Sequence, residues 1–313
     1  MNRPGYRGPM PGVCEGRVVI VTGAGRGLGR AHALAFAAEG AKVVVNDVGA
    51  DLDGSGGSSG PAGEVVAAIR AAGGEALANG DDVSSWSGAE RLVAAAVEGF
   101  GGLDVVVNNA GVVRDRMFAN STEDEFDAVV AVHLKGHFAV ARHAAAHWRD
   151  RAKAGQPVDA RIVNTTSGAG LQGSIGQAVY SAAKGAIASL TLVQAAELGR
   201  YGVTANAIAP SARTRMTEGV FAEVMATPDQ PDAFDAMAPE NVSPLVVWLG
   251  SPASSTVTGR VFEVEGGKVA VADGWHHGRP TDKGDRWEPG ELGDVVAELL
   301  AEAPPPEPVY GAG

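Results

Sequence analysis

The feature that most constrains this chain is a glycine-rich turn lodged between a β-branched run and an alanine-rich run. Residues 17–22 read RVVIVT, residues 22–29 read TGAGRGLG, and residues 28–39 are apolar at helical spacing. A continuously apolar strand needs cover on both faces, which a parallel sheet flanked by helices supplies. Glycines at such a strand-to-helix turn let the backbone approach a phosphate group, and the helix beyond offers that anion its unpaired N–H groups. The turn, with Gly23, Gly27 and Gly29 between strand and helix, therefore reads as a pyrophosphate cradle.

The same alternation repeats along the chain. Strand-like runs recur at residues 42–47 (KVVVND), 75–79, 103–108 (LDVVVN), 161–165, 203–208 and 260–264, with helical patterns at 64–72, 89–100, after Thr122, and at 178–200. This predicts an α/β fold: a doubly wound, Rossmann-type, seven-stranded parallel sheet with helices on both faces, in a single domain. Residues 1–14 read as a flexible lead, 15–266 as the dinucleotide-binding catalytic domain, and 267–313 as a C-terminal extension with a short amphipathic helix over 291–302. Asp47 closes the second strand, where a carboxylate accepts hydrogen bonds from an adenosine ribose and repels a 2′-phosphate. That favours NAD over NADP, although Arg26 in the turn is a counter-signal.

A second constellation lies at residues 167–184, SGAGLQGSIGQAVYSAAK. On a helix, Tyr180 and Lys184 stand one turn apart on one face. A phenol titrates near pH 10, and a neighbouring ammonium favours its phenolate, which makes it a usable general acid and base. Ser167, in a turn after an apolar run, supplies a hydroxyl donor to an oxygen that gains charge. Taken alone, a tyrosine and lysine at this spacing are most often a surface pair; the glycine-rich turn gives the pair weight.

Composition narrows the partners. A formal charge of -12 and a pI near 5.0 disfavour phosphate backbones and anionic membranes. A single cysteine, Cys14, precludes an internal disulfide framework and suits a reducing cytoplasm. No run reaches the length of a membrane span, and the N-terminus lacks an apolar signal core. His133 with His137, and His143 with His147, carry a helical metal-ligand spacing, but neither pair has the glutamate of a metalloprotease helix and no third ligand is evident. No metal is expected, and His143 and His147 read as a solvated or subunit-facing stripe.

Together, T-G-x-x-x-G-x-G at 22–29, Asn108-Asn109-Ala110-Gly111, Ser167 and Tyr180-x-x-x-Lys184 resemble the short-chain dehydrogenase/reductase family over residues 15–266. NDVG at 46–49, NNAGVVRDRMF at 108–118, VHLKGHF at 132–138, GQAVYSAAK at 176–184 and IAPSARTRMT at 208–217 look, more narrowly, like the (3R)-hydroxyacyl-CoA dehydrogenase part of peroxisomal multifunctional enzyme type 2. The resemblance implies that Gly23, Arg26, Gly27 and Leu28 line the pyrophosphate turn with Asp47 on the ribose, that Asp82 and Val83 contact adenine, that Asn109, Ala110 and Gly111 wall the adenine ribose, and that Pro210 approaches nicotinamide. It implies Tyr180 as proton donor and acceptor, Lys184 as the group that binds the nicotinamide ribose and lowers the tyrosine pKa, and Ser167 as the anchor of the substrate oxygen. The family's usual asparagine is replaced by His133, which leaves the proton relay open, and Ser211 stands where glycine usually follows Pro210.

Residues 212–240, with Met216, Phe221, Met225, Phe234 and Met237, fall where the family places a substrate lid, and equally suit ordinary packing. The reading is an NAD-dependent oxidoreductase of a hydrophobic secondary alcohol or ketone, a 3-hydroxyacyl-CoA or 3-oxoacyl thioester, assembled as a homodimer or homotetramer. The alternatives are a steroid or xenobiotic carbonyl reductase and, from another class, a catalytically silent NAD-binding regulator.

Overall fold

The computed structural model describes residues 12–49, 60–214, 227, 233–272 and 274–311. Alternating strands and helices build β1 (Val18–Thr22), α1 (Gly27–Ala38), β2 (Lys42–Asn46), α2 (Gly60–Ala71), β3 (Glu75–Asn79), α3 (Trp86–Phe100) and β4 (Val105–Asn108). Then come α4 (Glu123–Val130), α5 (Gly136–Lys153), β5 (Ala160–Thr165), α6 (Gly168–Gln172), α7 (Ala178–Leu198) and β6 (Val203–Ser211). The chain closes with α8 (Ser243–Gly250), β7 (Val261–Glu265), β8 (Lys268–Ala272) and α9 (Leu292–Glu302). No helix among the described residues is long and apolar enough to cross a membrane.

The strands lie in the order β3-β2-β1-β4-β5-β6-β7-β8. The first seven are parallel, as the continuous apolar runs predict, and β8 adds an antiparallel edge to β7. The sequence reading stopped before β8. Its signal was the Gly266-Gly267 pair between KVAVA and the preceding strand, a two-residue hairpin turn in which Gly266 takes φ +53°.

Successive side chains of each strand serve opposite cores. Val19, Val21, Val43, Val45, Val105 and Val107 pack with Phe36 of α1, Ile69 of α2 and Leu249 of α8. Val18, Ile20, Val44 and Val106 pack on the other face with Leu92 of α3, Trp148 of α5 and Ala195 of α7. Fully burying one such side chain is worth roughly 1.5–3 kcal/mol, so neither face tolerates a polar substitution in these strands. Gly12 to Cys14, read from the sequence as part of a flexible lead, is instead pinned. Cys14 N–H bonds the Glu39 carbonyl at the end of α1, and its thiol is fully buried, a small apolar group that belongs to the core.

The chain winds outward from β1 to β3 and then returns to start β4 on the other side of β1. That reversal leaves a crevice beyond the carboxyl ends of β1 and β4, the place where open parallel sheets receive ligands.

Candidate active site

The glycine-rich turn follows β1 directly. Gly23 has φ +62°, and a Cβ there would stand 2.8 Å from the Ala110 Cα; Gly27 has φ +52°. A Cβ at Gly29 would meet the Gly23 carbonyl oxygen at 2.2 Å, so only glycine lets helix and strand close on each other. Arg26 is the N-cap of α1 and makes no side-chain capping bond, and the first turn holds no acidic residue. A helix N-terminus without a side-chain cap, at a glycine-lined cradle, fits a pyrophosphate. Asp47 stands at its rim, its carboxylate accepting the Gly25 N–H at 2.8 Å and the Gly49 N–H at 2.7 Å.

Thr22, the last residue of β1, joins this turn to the loop after β4. Its hydroxyl accepts the N–H groups of Asn109 at 2.9 Å and Ala110 at 3.0 Å, while the Asn109 side chain donates back to the Thr22 and Gly23 carbonyls. Asp82 and Val83 lie beyond β3. The Asp82 carboxylate accepts from the Ser84 amide and hydroxyl, forming the turn into α3, and Val83 is buried against Gly136. Pro210 sits in β6 paired with Val264.

Ser167, Tyr180 and Lys184 meet at the carboxyl end of β5. Ser167 is the N-cap of α6, its hydroxyl accepting the Ala169 N–H at 3.2 Å and lying near enough to the Tyr180 phenol to affect its titration. Burial raises the Tyr180 pKa above its ordinary value, the Ser167 hydroxyl opposes this, and the Asp115 carboxylate adds to it. Lys184 is buried one turn along α7, gives its ammonium hydrogen to the Thr165 carbonyl at 2.7 Å, and is pushed down to about 7 by burial.

The expected depression of the tyrosine by the ammonium is not present here. The Lys184 Nζ lies 5.6 Å from the centroid of the Tyr180 ring and is engaged by Thr165, so loss of water around the phenol dominates.

His133 occupies a π-helical turn, Ala131–Lys135, between α4 and α5, and its ring stands edge-on to Tyr180 with centroids 5.2 Å apart. The Nε2 atom is 2.7 Å from the Val112 carbonyl and 3.1 Å from the Val112 amide nitrogen. Burial and the Lys184 charge push its pKa down to about 3, so the imidazole is neutral. A Cβ at Gly111 would reach the ring at 2.5 Å, so glycine is required there. His133 thus braces the loop after β4 against the tyrosine and does not titrate near neutrality.

Sequence reasoning missed the polar network beneath these groups. Asn108 donates to Asn164 at 3.0 Å, and Asn164 donates to Thr191 at 2.9 Å and Gln194 at 2.8 Å, which ties β4 and β5 to α7. It also missed Gln177, which donates to Asp115 at 3.0 Å while the backbones of Arg116 and Gln177 form an isolated parallel bridge. His143, expected on a solvated or subunit-facing stripe, is buried, with its ring edge against Trp86 of α3. Of the lid residues, Met216, Phe221 and Met225 lie outside the described residues; Phe234 is exposed and Met237 holds the Arg213 N–H on its carbonyl.

The short chain dehydrogenase model matches residues 17–224. Hydroxyacyl-CoA dehydrogenase ChsB1 of Mycobacterium tuberculosis is 48% identical over 93% of this chain and 90% of its own length. Peroxisomal multifunctional enzyme type 2 of Mus musculus is 46% identical over 82% of this chain, which spans only 32% of that protein. A crystal structure of a short chain dehydrogenase from Mycobacterium avium superposes with TM-score 0.86 at 66% identity, covering 96% of this chain and 100% of that one. By the family model over most of the chain and the 48% identity to a near full-length relative, the chain belongs to the short-chain dehydrogenase/reductase family, whose dehydrogenases work with nicotinamide cofactors.

Proposed function

We propose that this enzyme is an NAD-dependent dehydrogenase that oxidises the secondary alcohol of a 3-hydroxyacyl-CoA thioester, and reduces the matching ketone in reverse. The observation that carries the reading is Tyr180 set 5.6 Å from the buried Lys184 ammonium on α7, with Ser167 capping α6 beside them, at the same end of the sheet as the glycine cradle. The name of the relative in Mycobacterium tuberculosis, a hydroxyacyl-CoA dehydrogenase, supports the thioester as substrate class.

A nicotinamide cofactor, when bound, supplies hydride acceptance and donation. Gly23, Arg26, Gly27 and Leu28 would hold its pyrophosphate, Asn109 to Gly111 would flank it, and Lys184 would hold its nicotinamide-side ribose. Tyr180 Oη, as the phenolate, takes the alcohol proton during oxidation and, as the phenol, returns it during reduction. Ser167 Oγ holds the substrate oxygen against that phenol and stabilises charge there. Asp47 favours NAD, because a 2′-phosphate beside its carboxylate meets like charge. Exposed Phe138 on α5 and Leu192 and Val193 on α7 support assembly with further copies as a homodimer or homotetramer, and the one buried cysteine suits a cytoplasmic setting.

The test is an activity screen with NAD and NADP against 3-hydroxyacyl-CoA esters of graded chain length beside hydroxysteroids. The reading expects turnover of the thioesters with a preference for NAD. Turnover confined to hydroxysteroids, or a preference for NADP, contradicts it.

A further inference from the structure

The segment 173–177 lies between Ser167 and Tyr180 in sequence and is gripped from two sides. On one side Arg116 N–H bonds the Gly176 carbonyl at 2.7 Å. On the other the C-terminal tail forms a parallel bridge, Ile175 N–H to the Tyr310 carbonyl at 3.0 Å and Tyr310 N–H to the Gly173 carbonyl at 3.2 Å. The Tyr310 side chain covers Gly168, the residue after Ser167, so closely that a Cβ there would stand 2.8 Å from its hydroxyl. Val309 packs over Gly173. We infer that the tail strand Val309–Tyr310 is a wall of the substrate cleft, and that Tyr310 is a specificity-determining residue that receives the acyl chain of the substrate.

This inference rests on the proposed thioester activity, and the chemistry of the wall selects which end of the substrate meets it. Ile175, Val309 and Tyr310 form exposed apolar surface along residues 173–175, with Tyr310 against Gly168 next to Ser167, an arrangement suited to hydrocarbon. Glu263, Glu265 and Glu307 place negative charge around the Tyr310 hydroxyl. The anionic phosphates of a CoA ester are repelled from that side, so the acyl chain faces the tail and the nucleotide portion leaves elsewhere.

The experiment compares wild type with Tyr310→Ala and with a chain ending at Pro308, measuring KM and kcat over a series of 3-hydroxyacyl-CoA esters, NADH binding, and amide hydrogen exchange at Ile175. The inference expects KM to rise about tenfold or more for the longest chains, as loss of a well-filled apolar contact does. The shortest chain and NADH affinity should stay within about twofold, and Ile175 should exchange faster in the shortened chain. An equal effect at every chain length, no effect at any, or unchanged Ile175 exchange overturns it. Should wild type oxidise no thioester, the substrate reading fails by itself. The tail is then judged by Ile175 exchange and by KM for whichever alcohols of graded size the enzyme does oxidise.

Discussion

The Lys184 ammonium gives its hydrogen bond to the Thr165 carbonyl at 2.7 Å and lies 5.6 Å from the Tyr180 ring centroid, so one buried cation is shared between the sheet and the phenol's helix. Burial lowers its pKa from 10.5 to about 7. The folded protein therefore binds this proton less well than the unfolded chain does. In the cofactor-free enzyme the lysine's contribution makes stability rise with pH from about 7 toward its unfolded value near 10.4. Thermal unfolding between these limits should show a steeper upward trend in wild type than in Lys184→Met. Parallel trends would contradict the placement of the lysine.

The buried amide of Asn164 bridges three elements, and Asn164→Leu takes the donor from Thr191 and Gln194 and leaves Asn108 only its longer bond to the His137 carbonyl. Each orphaned polar group costs about 1–3 kcal/mol. The variant should unfold several degrees lower, with Tyr180 displaced and kcat reduced as well. A melting temperature within error of wild type would show that the network does not hold α7.

Asp47 accepts two backbone N–H groups at the rim of the cradle. Asp47→Ala should weaken NADH about 10- to 100-fold, the range for hydrogen bonds to a charged group, and narrow the gap to NADPH. Titration of nucleotide fluorescence measures both affinities. An unchanged NADH affinity would remove Asp47 from the ribose site.

His133 is neutral at every pH at which the enzyme is folded and active if its pKa is about 3. His133→Asn should therefore leave the position of the kcat/KM pH profile unaltered, whatever it does to the height. A limb displaced by about a unit or more would show that the imidazole titrates in the reaction.

Much of this molecule was legible because its signals are local. The strand-turn-helix around Gly23 to Gly29 and the helical spacing of Tyr180 and Lys184 depend on neighbours in sequence, and both formed as read. The helix read after Thr122 runs unbroken from Glu123 to Lys153, and what the sequence did not show is its π turn at Ala131–Lys135, where His133 meets Val112 across the chain. The direction of the Tyr180 shift differs from the sequence reading for a related reason: spacing shows that an ammonium is near but not that Thr165 already engages it or how far burial raises the phenol. Asn164 looked like one more polar residue ending a strand, since its partners lie on α7 and β4. The tail's return to Gly173 and Gly168 had no sequence signature at all, being a pairing between residues far apart in the chain.

The central claim is that one phenol, seated on Ser167 and Lys184, moves the proton that accompanies hydride transfer. Tyr180→Phe, assayed for NAD-linked oxidation of a 3-hydroxyacyl-CoA and in parallel for NADH binding, tests it most directly. The account predicts a kcat loss of roughly 10²- to 10⁴-fold with NADH affinity nearly unchanged. Turnover at the wild-type rate would contradict it.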